Sequence, residues 1–179
     1  SISQSMNKKL TKGLNQQNRQ SLIDGVAIIN ERAESLSSFI ASYSQLSQLP
    51  KPTKSRFHLR SAILSIAPLF PEVTVCLAHC DDVVIEADKP QFEQVIINVF
   101  KNSADAMVDA IYKNITVSSY RDSKWLRITV SDEGHGIAKL DNVFVPFYTT
   151  KSQGSGIGLA LCRQILFNHN GQITIENKA

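Results

Sequence analysis

The sequence predicts an α+β protein: a helical hairpin, then an α/β sandwich with a mixed sheet and helices on one face. Three observations predict it. Leu22, Val26, Ile29, Ala33, Leu36, Ile40 and Tyr43 recur with alternating gaps of four and three, the heptad seam of packed helices. After Pro50-Lys51-Pro52 the pattern changes to short β-type runs and amphipathic helices. Those strands and helices come in separate runs, which suits helices layered on one face of a sheet.

Composition bounds the function. A chain of 179 residues, 42% hydrophobic and 20% charged, is long enough to bury a core and carry an appendage. Its formal charge of +3 is mild, and no basic block with interleaved aromatics points to nucleic acid. Three cysteines without a dense framework favour a reducing compartment over a disulfide scaffold. Cys76, His79 and Cys80 lie in a run that reads as a strand, where positions 76 and 80 share a face and 79 points away; a structural role is preferred to a metal site. No apolar run is long enough to cross a bilayer, and the start carries no signal-peptide pattern. A membrane anchor would have to lie outside this chain.

Residues 1–50 read as the hairpin. A helix from Arg19 to Ser47 would be about 43 Å long. Ile2, Met6 and Leu10 suggest the end of a preceding helix, and Gly13 to Asn18 the turn between the two. Two such hairpins would close a four-helix bundle, so a homodimer is the natural cover for the seam. Residues 51–56 read as a linker. From 57 onward the expected elements are a helix over Leu59–Leu69, strands over Val73–Cys80 and Val83–Ala87, and a helix from Gln91 to Ala106. Strands over Ile115–Tyr120 and Trp125–Val130 come next, then a long loop, a helix over Gly158–Phe167 and a last strand over Gln172–Glu176.

The helix after Asp88 is the most informative. Asp88 suits an N-cap and Pro90 the first turn, while Phe92, Val95, Ile96, Val99 and Phe100 form its apolar face. Asn98, Asn102 and Asp105 then fall at i, i+4 and i+7, three oxygen-bearing side chains on one stripe, which suits a hard cation such as magnesium beside phosphates. Farther on, Asp132 ends a β-type run at the glycine turn Gly134-His135-Gly136. A carboxylate there can accept a hydrogen bond from an exocyclic amine such as that of adenine. The loop of roughly twenty residues that follows is uncommon in a compact domain unless it is functional. It carries Pro146-Phe147-Tyr148-Thr149-Thr150-Lys151 and leads to Gly154-Ser155-Gly156-Ile157-Gly158-Leu159. Glycines there let backbone approach phosphate oxygens at a helix start.

In this order and spacing the four blocks resemble the ATP-binding domain of sensor histidine kinases, within the superfamily shared with gyrase, Hsp90 and MutL. The resemblance covers most of residues 57–177. It implies a Bergerat-type fold that binds ATP and Mg2+, with Asn98 and Asn102 holding the metal. It implies that Asp132 recognises the adenine amine and that the segment from Gly136 to Gly154 is a mobile lid. Lys101, Asp105, Gly134, Gly136, Ile137, Phe147, Thr150 and Lys151 are then nucleotide-binding residues, and Gly154, Ser155, Gly156, Ile157, Gly158 and Leu159 shape the phosphate turn. Partners implied are a second copy through the hairpin and a response-regulator receiver domain. The place implied is the cytoplasm, in a parent protein that can be membrane-tethered.

Three departures refine the expectation. The acceptor histidine of the family's first helix is absent, since His58, His79, His135 and His169 all lie elsewhere; the chain reads as beginning just beyond it. His58 and His169 are given structural roles, His169 as a partly cationic ring at a helix end. Secondly, Asn98 stands where the family's hydrolases carry a glutamate, and an amide cannot activate water. Lastly, the family's final strand is missing beyond Ala179. Histidine phosphorylation followed by transfer to a response-regulator aspartate is therefore the expected activity. A nucleotide hydrolase and a non-catalytic binding module are the alternatives.

Overall fold

The computed structural model describes residues 16–79, 82–151 and 154–178. It divides into two compact units, Ser1–Ser44 and Gln45–Ala179. The first unit's described part is helix α1 (Gln16–Ser47), which runs 32 residues and ends in the second unit. Gln16, Gln17 and Asn18, expected in a turn, are already helical, while Ile2, Met6, Leu10 and Gly13 to Asn15 lie outside the described residues. Along α1 the seam residues Val26, Ile29, Leu36, Ile40 and Tyr43 are exposed. Among the described residues no helix is long and apolar enough to cross a membrane.

The second unit contains β1 (Ser55–His58), α2 (Leu59–Ile66), β2 (Thr74–Leu77), β3 (Val84–Ala87), α3 (Lys89–Ala106), β4 (Asn114–Arg121), β5 (Leu126–Asp132) and α4 (Gly158–Asn168). Strand β1 was not expected: Ser55 and Arg56, read as linker, pair antiparallel with Ala87 and Glu86 of β3. Four residues are too few to show a period. Helix α2 ends early because Pro68 tightens its continuation into a 3-10 turn. The main sheet has the order β2-β4-β5 and is mixed, with β2 and β4 parallel and β4 and β5 antiparallel. Asp122 closes the β4–β5 hairpin by accepting the N–H groups of Trp125 and Lys124, both at 2.7 Å, and these two donors hold its carboxyl below the usual range.

Two expectations are corrected. Residues 171–178 form no strand, so the expected strand over Gln172–Glu176 is absent and β5 stays at the sheet edge. Their alternating half-buried and exposed positions explain the reading, but a strand needs a ladder as well as alternation. Strand β2 also stops at Leu77, and His79 adopts φ 47°, so alternation does not extend to the histidine; Cys80 lies outside the described residues.

Helix α3 is the hub of the core. Phe92, Ile96 and Phe100 join Leu59, Ile63 and Ile66 of α2 and Ile115 and Val117 of β4 in one buried cluster. Val95 joins Ile157, Leu161, Cys162 and Ile165 in a second, against α4. Each fully buried side chain of this size contributes about 1.5–3 kcal/mol of apolar burial, so α3 is held on two flanks at once. The remaining flank carries Asn98, Asn102 and Asp105.

The start of α3 is held by a polar hub. Asp88 is its N-cap, accepting the Gln91 N–H at 3.0 Å through one oxygen and the Thr53 N–H at 2.8 Å through the other. Gln91 Nε2 donates to the Pro50 carbonyl at 3.0 Å, so the segment after α1 is docked onto α3. The Asp88 N–H donates to His169 Nε2 at 3.0 Å, and His169 Nδ1 lies 2.8 Å from the Ile165 carbonyl. An Nε2 that accepts cannot carry a proton. The ring is therefore the neutral Nδ1–H tautomer, and the partly cationic His169 expected at a helix end is replaced by one that ties α4 to α3.

Candidate functional site

The site grows from the flank of α3 that neither cluster covers. Burying Phe92, Val95, Ile96, Phe100 and Ser103 turns Asn98, Lys101, Asn102 and Asp105 outward. Asn98 is half-buried; its Oδ1 accepts from Gln94 Nε2 at 3.3 Å and its Nδ2 donates to the Gly158 carbonyl at 3.4 Å, so it braces the start of α4. Asn102 and Asp105 converge. Lys151 Nζ donates to Asn102 Oδ1 at 2.8 Å and to Asp105 Oδ2 at 2.7 Å. Lys101 is exposed and makes no hydrogen bond or ion pair among the described residues.

Asp132 reaches the same place from the end of β5. Its Oδ1 accepts the Gly134 N–H at 2.9 Å, and the His135 N–H donates to the Ala106 carbonyl at 3.3 Å, which seats the turn on the last residue of α3. A Cβ on Gly134 would stand 2.6 Å from Ala106 Cβ and 2.9 Å from Asp132 Oδ1. Only glycine brings β5 and α3 that close. The other oxygen of Asp132 has no partner among the described residues and remains an acceptor. Ile137 is held by Asn177, whose Oδ1 accepts its N–H and whose Nδ2 donates to its carbonyl, both at 2.9 Å, and Gly136 precedes it at φ 73°. Sequence reasoning missed Asn177. A lone asparagine forty positions away carries no local signal.

The loop closes on the glycine segment. Phe147 has φ 67°, and its N–H donates to the Gly156 carbonyl at 2.9 Å. Thr149 Oγ1 accepts the Lys151 N–H at 3.1 Å, which turns the chain and delivers the lysine to α3. Ile157 is buried in the α4 cluster, so only its backbone can meet a ligand. Thr150 and Ser155 are exposed, and Leu159 is half-buried on the first turn of α4. That helix starts at Gly158 without a side-chain cap, which leaves its first N–H groups for an external acceptor.

These residues fit a hard cation with a phosphate chain. Asn102 Oδ1 and Asp105 Oδ2 already meet on one positive charge, and magnesium beside phosphates asks for only one or two protein oxygens. Among the described residues no group of three or more His, Cys, Asp or Glu gathers, so the cation would share its shell with phosphates and water.

Behind the site, Cys162 is fully buried and donates to the Val95 carbonyl at 3.8 Å. Burial, only partly offset by a hydrogen bond from Asn98, pushes its thiol from 9.0 to about 11. A raised thiol favours the protonated form in the folded state. Its contribution is complete below pH 9.0 and is lost as pH rises to about 11, amounting to about 2–3 kcal/mol. Thermal unfolding between pH 8 and 11 is expected to fall more steeply for the natural chain than for Cys162→Ala. Parallel curves would rule this linkage out.

Residues 87–179 match the family described as histidine kinase-, DNA gyrase B-, and HSP90-like ATPase. The chain is similar to sporulation kinase C of Bacillus subtilis (strain 168), 39% identical over 101 residues, which is 55% of this chain and 23% of that protein. It is also similar to sporulation kinase D of the same organism, 32% identical over 148 residues, 75% of this chain and 29% of that protein. The chain thus spans less than a third of these curated relatives. Among solved structures it resembles the nucleotide-free catalytic domain of histidine kinase ThkA, with a TM-score of 0.63 and 30% identity over 71% of this chain and 89% of that one.

Proposed function

From a chain that belongs to the histidine kinase-, DNA gyrase B- and HSP90-like ATPase family, as a sensor histidine kinase ATP-binding domain, we infer a phosphoryl transfer. The γ-phosphoryl of ATP passes to a histidine imidazole on a dimerising helix and then to an aspartate of a response regulator. The meeting of Asn102 Oδ1, Asp105 Oδ2 and the Lys151 ammonium, with the Asp132 turn seated on the last residue of α3, is the observation that supports this reading.

The residues bind and neutralise; little covalent work is asked of them. Asp132 accepts from the adenine amine through its free oxygen. The N–H groups opening α4 and the ammonium of Lys151 receive phosphate oxygens. Mg2+, held by Asn102 with Asp105 or Asn98, supplies positive charge against the phosphates. Asn98 braces Gly158 and cannot take a proton from water, while Glu93 pairs with Lys89 at 3.7 Å on another part of the helix. Neither Asn98 nor Glu93 is thus set to activate water, which favours a protein acceptor. The exposed seam of α1 is suited to a second copy, and the two together give a bundle to carry the acceptor histidine.

The test is the fate of γ-labelled ATP with a longer protein that includes the acceptor-bearing helix, beside an Asn102→Ala control. Label held on protein, labile in acid and stable in base and lost in the control, is expected. Release of free phosphate with no labelled protein would transfer the reading to a hydrolase.

A further inference from the structure

We propose that the Lys151 ammonium is a tethered cation that takes the metal's place on Asn102 and Asp105 when no nucleotide is bound, so that loading Mg-ATP and releasing this loop are one ion exchange. The nucleotide half of the exchange rests on the function proposed above; the ion pair does not.

The geometry is that of a cation site. One nitrogen sits 2.8 Å from an amide oxygen and 2.7 Å from a carboxylate oxygen, within the range of charge-assisted hydrogen bonds. The two oxygens belong to residues three apart on α3, and no other donor reaches them among the described residues. Helix electrostatics supply an independent reason. Asp105 lies in the last turn of α3, where the carbonyl end already carries partial negative charge, and that turn contains no basic residue. An acidic side chain there gains from a positive partner, and Lys151 rather than the neighbouring Lys101 supplies it. Lys151 comes from 46 residues away, set by the turn in which Thr149 Oγ1 accepts its N–H and the Gly154 N–H donates to its carbonyl at 3.3 Å.

A divalent ion cannot share those two oxygens with an ammonium, because like charges would lie within a few ångströms of each other. Arrival of the metal therefore frees the lysine, and the phosphates that arrive with it are the nearest new anion. The same charge serves twice. With side chains 42% and 41% exposed the pair is a modest latch, so its competition with the metal is expected to be about three- to fivefold.

The experiment measures the acylation rate of Lys151 by an amine-reactive ester in the full chain, with the exposed Lys54, outside the loop, as internal standard. In nucleotide-free protein, Asp105→Asn should raise the Lys151 rate about threefold or more while Lys54 is unchanged, and high salt should shrink the difference. With saturating Mg2+ and a non-hydrolysable ATP analogue, the effect of Asp105→Asn should vanish. Equal Lys151 rates in the two nucleotide-free proteins overturn the pair. An Asp105 effect that persists at saturation overturns the exchange. Failure of the unaltered chain to bind the analogue overturns the function on which the exchange rests, while the nucleotide-free comparison still reads the pair by itself.

Discussion

Replacing Asp132 by asparagine is expected to cut ATP affinity by about thirtyfold or more and to leave the fold in place. The substitution preserves one carbonyl-type oxygen, which can still accept the Gly134 N–H that Asp132 Oδ1 holds at 2.9 Å. It converts the free oxygen into an amide NH2, which can only donate. Two donors would then face each other where a donor had met an acceptor, and a buried hydrogen bond to a charged group lost in that way costs about 2–3 kcal/mol. Calorimetric titration with ATP and magnesium reads the affinity, and the thermal midpoint, expected to move by only a few degrees, reads the fold. An unchanged affinity would remove Asp132 from the adenine site.

The glycine segment yields the second large effect, because its glycines are not equivalent. Gly156 has φ 67°, and a Cβ there would stand 2.5 Å from the Phe147 carbonyl carbon and 2.8 Å from the Tyr148 oxygen. Backbone must move, and the left-handed conformation adds its own penalty, so Gly156→Ala is expected to cost about 3 kcal/mol locally. Loss of the Phe147–Gly156 hydrogen bond should detach the loop and lower ATP affinity at least tenfold. Gly158 is the contrast. A Cβ there would meet Asn98 at 3.7 Å, an ordinary contact, at the first position of α4. Gly158→Ala should therefore keep or slightly raise stability, by up to about 1 kcal/mol, as alanine replaces glycine in a helix. Equal unfolding midpoints and equal loop exchange for the two variants would contradict this steric account.

The contrast between Gly156 and Gly158 also marks the boundary of what a linear reading can reach. Gly154, Gly156 and Gly158 look alike in sequence, since what separates them is what lies beside each: the Thr149 hydroxyl at Gly154, the backbone of Phe147 and Tyr148 at Gly156, and only the Asn98 side chain at ordinary distance at Gly158. Local patterns were sufficient where the physics is local. The period of Phe92, Val95, Ile96 and Phe100, with Asp88 as cap and Pro90 in the first turn, specifies α3 and its outward stripe without reference to any other element. The run ending at Asp132 and the glycines after it likewise announce a strand and a tight turn. The family followed from the order of these blocks, and residues 87–179 bear it out.

Pairing across the fold was not readable. Strand β1 is four residues long, and the segment 172–176 alternates without a ladder, so neither could be judged before its neighbours were in place. His169 looked like a cation at a helix end and is instead a neutral acceptor, because the Asp88 N–H arrives from 81 residues away. Sequence alone determined helix α3 with its outward stripe, the strand that ends at Asp132 and the family, since these depend on residue type and short spacing. Only the tertiary structure decided that Lys151 sits on Asn102 and Asp105, that Asn177 clamps Ile137, and which glycine cannot change. The Lys151 and Asn177 contacts join residues 40 to 49 positions apart, and hydrogen bonds and steric exclusion act through distance in space rather than along the chain.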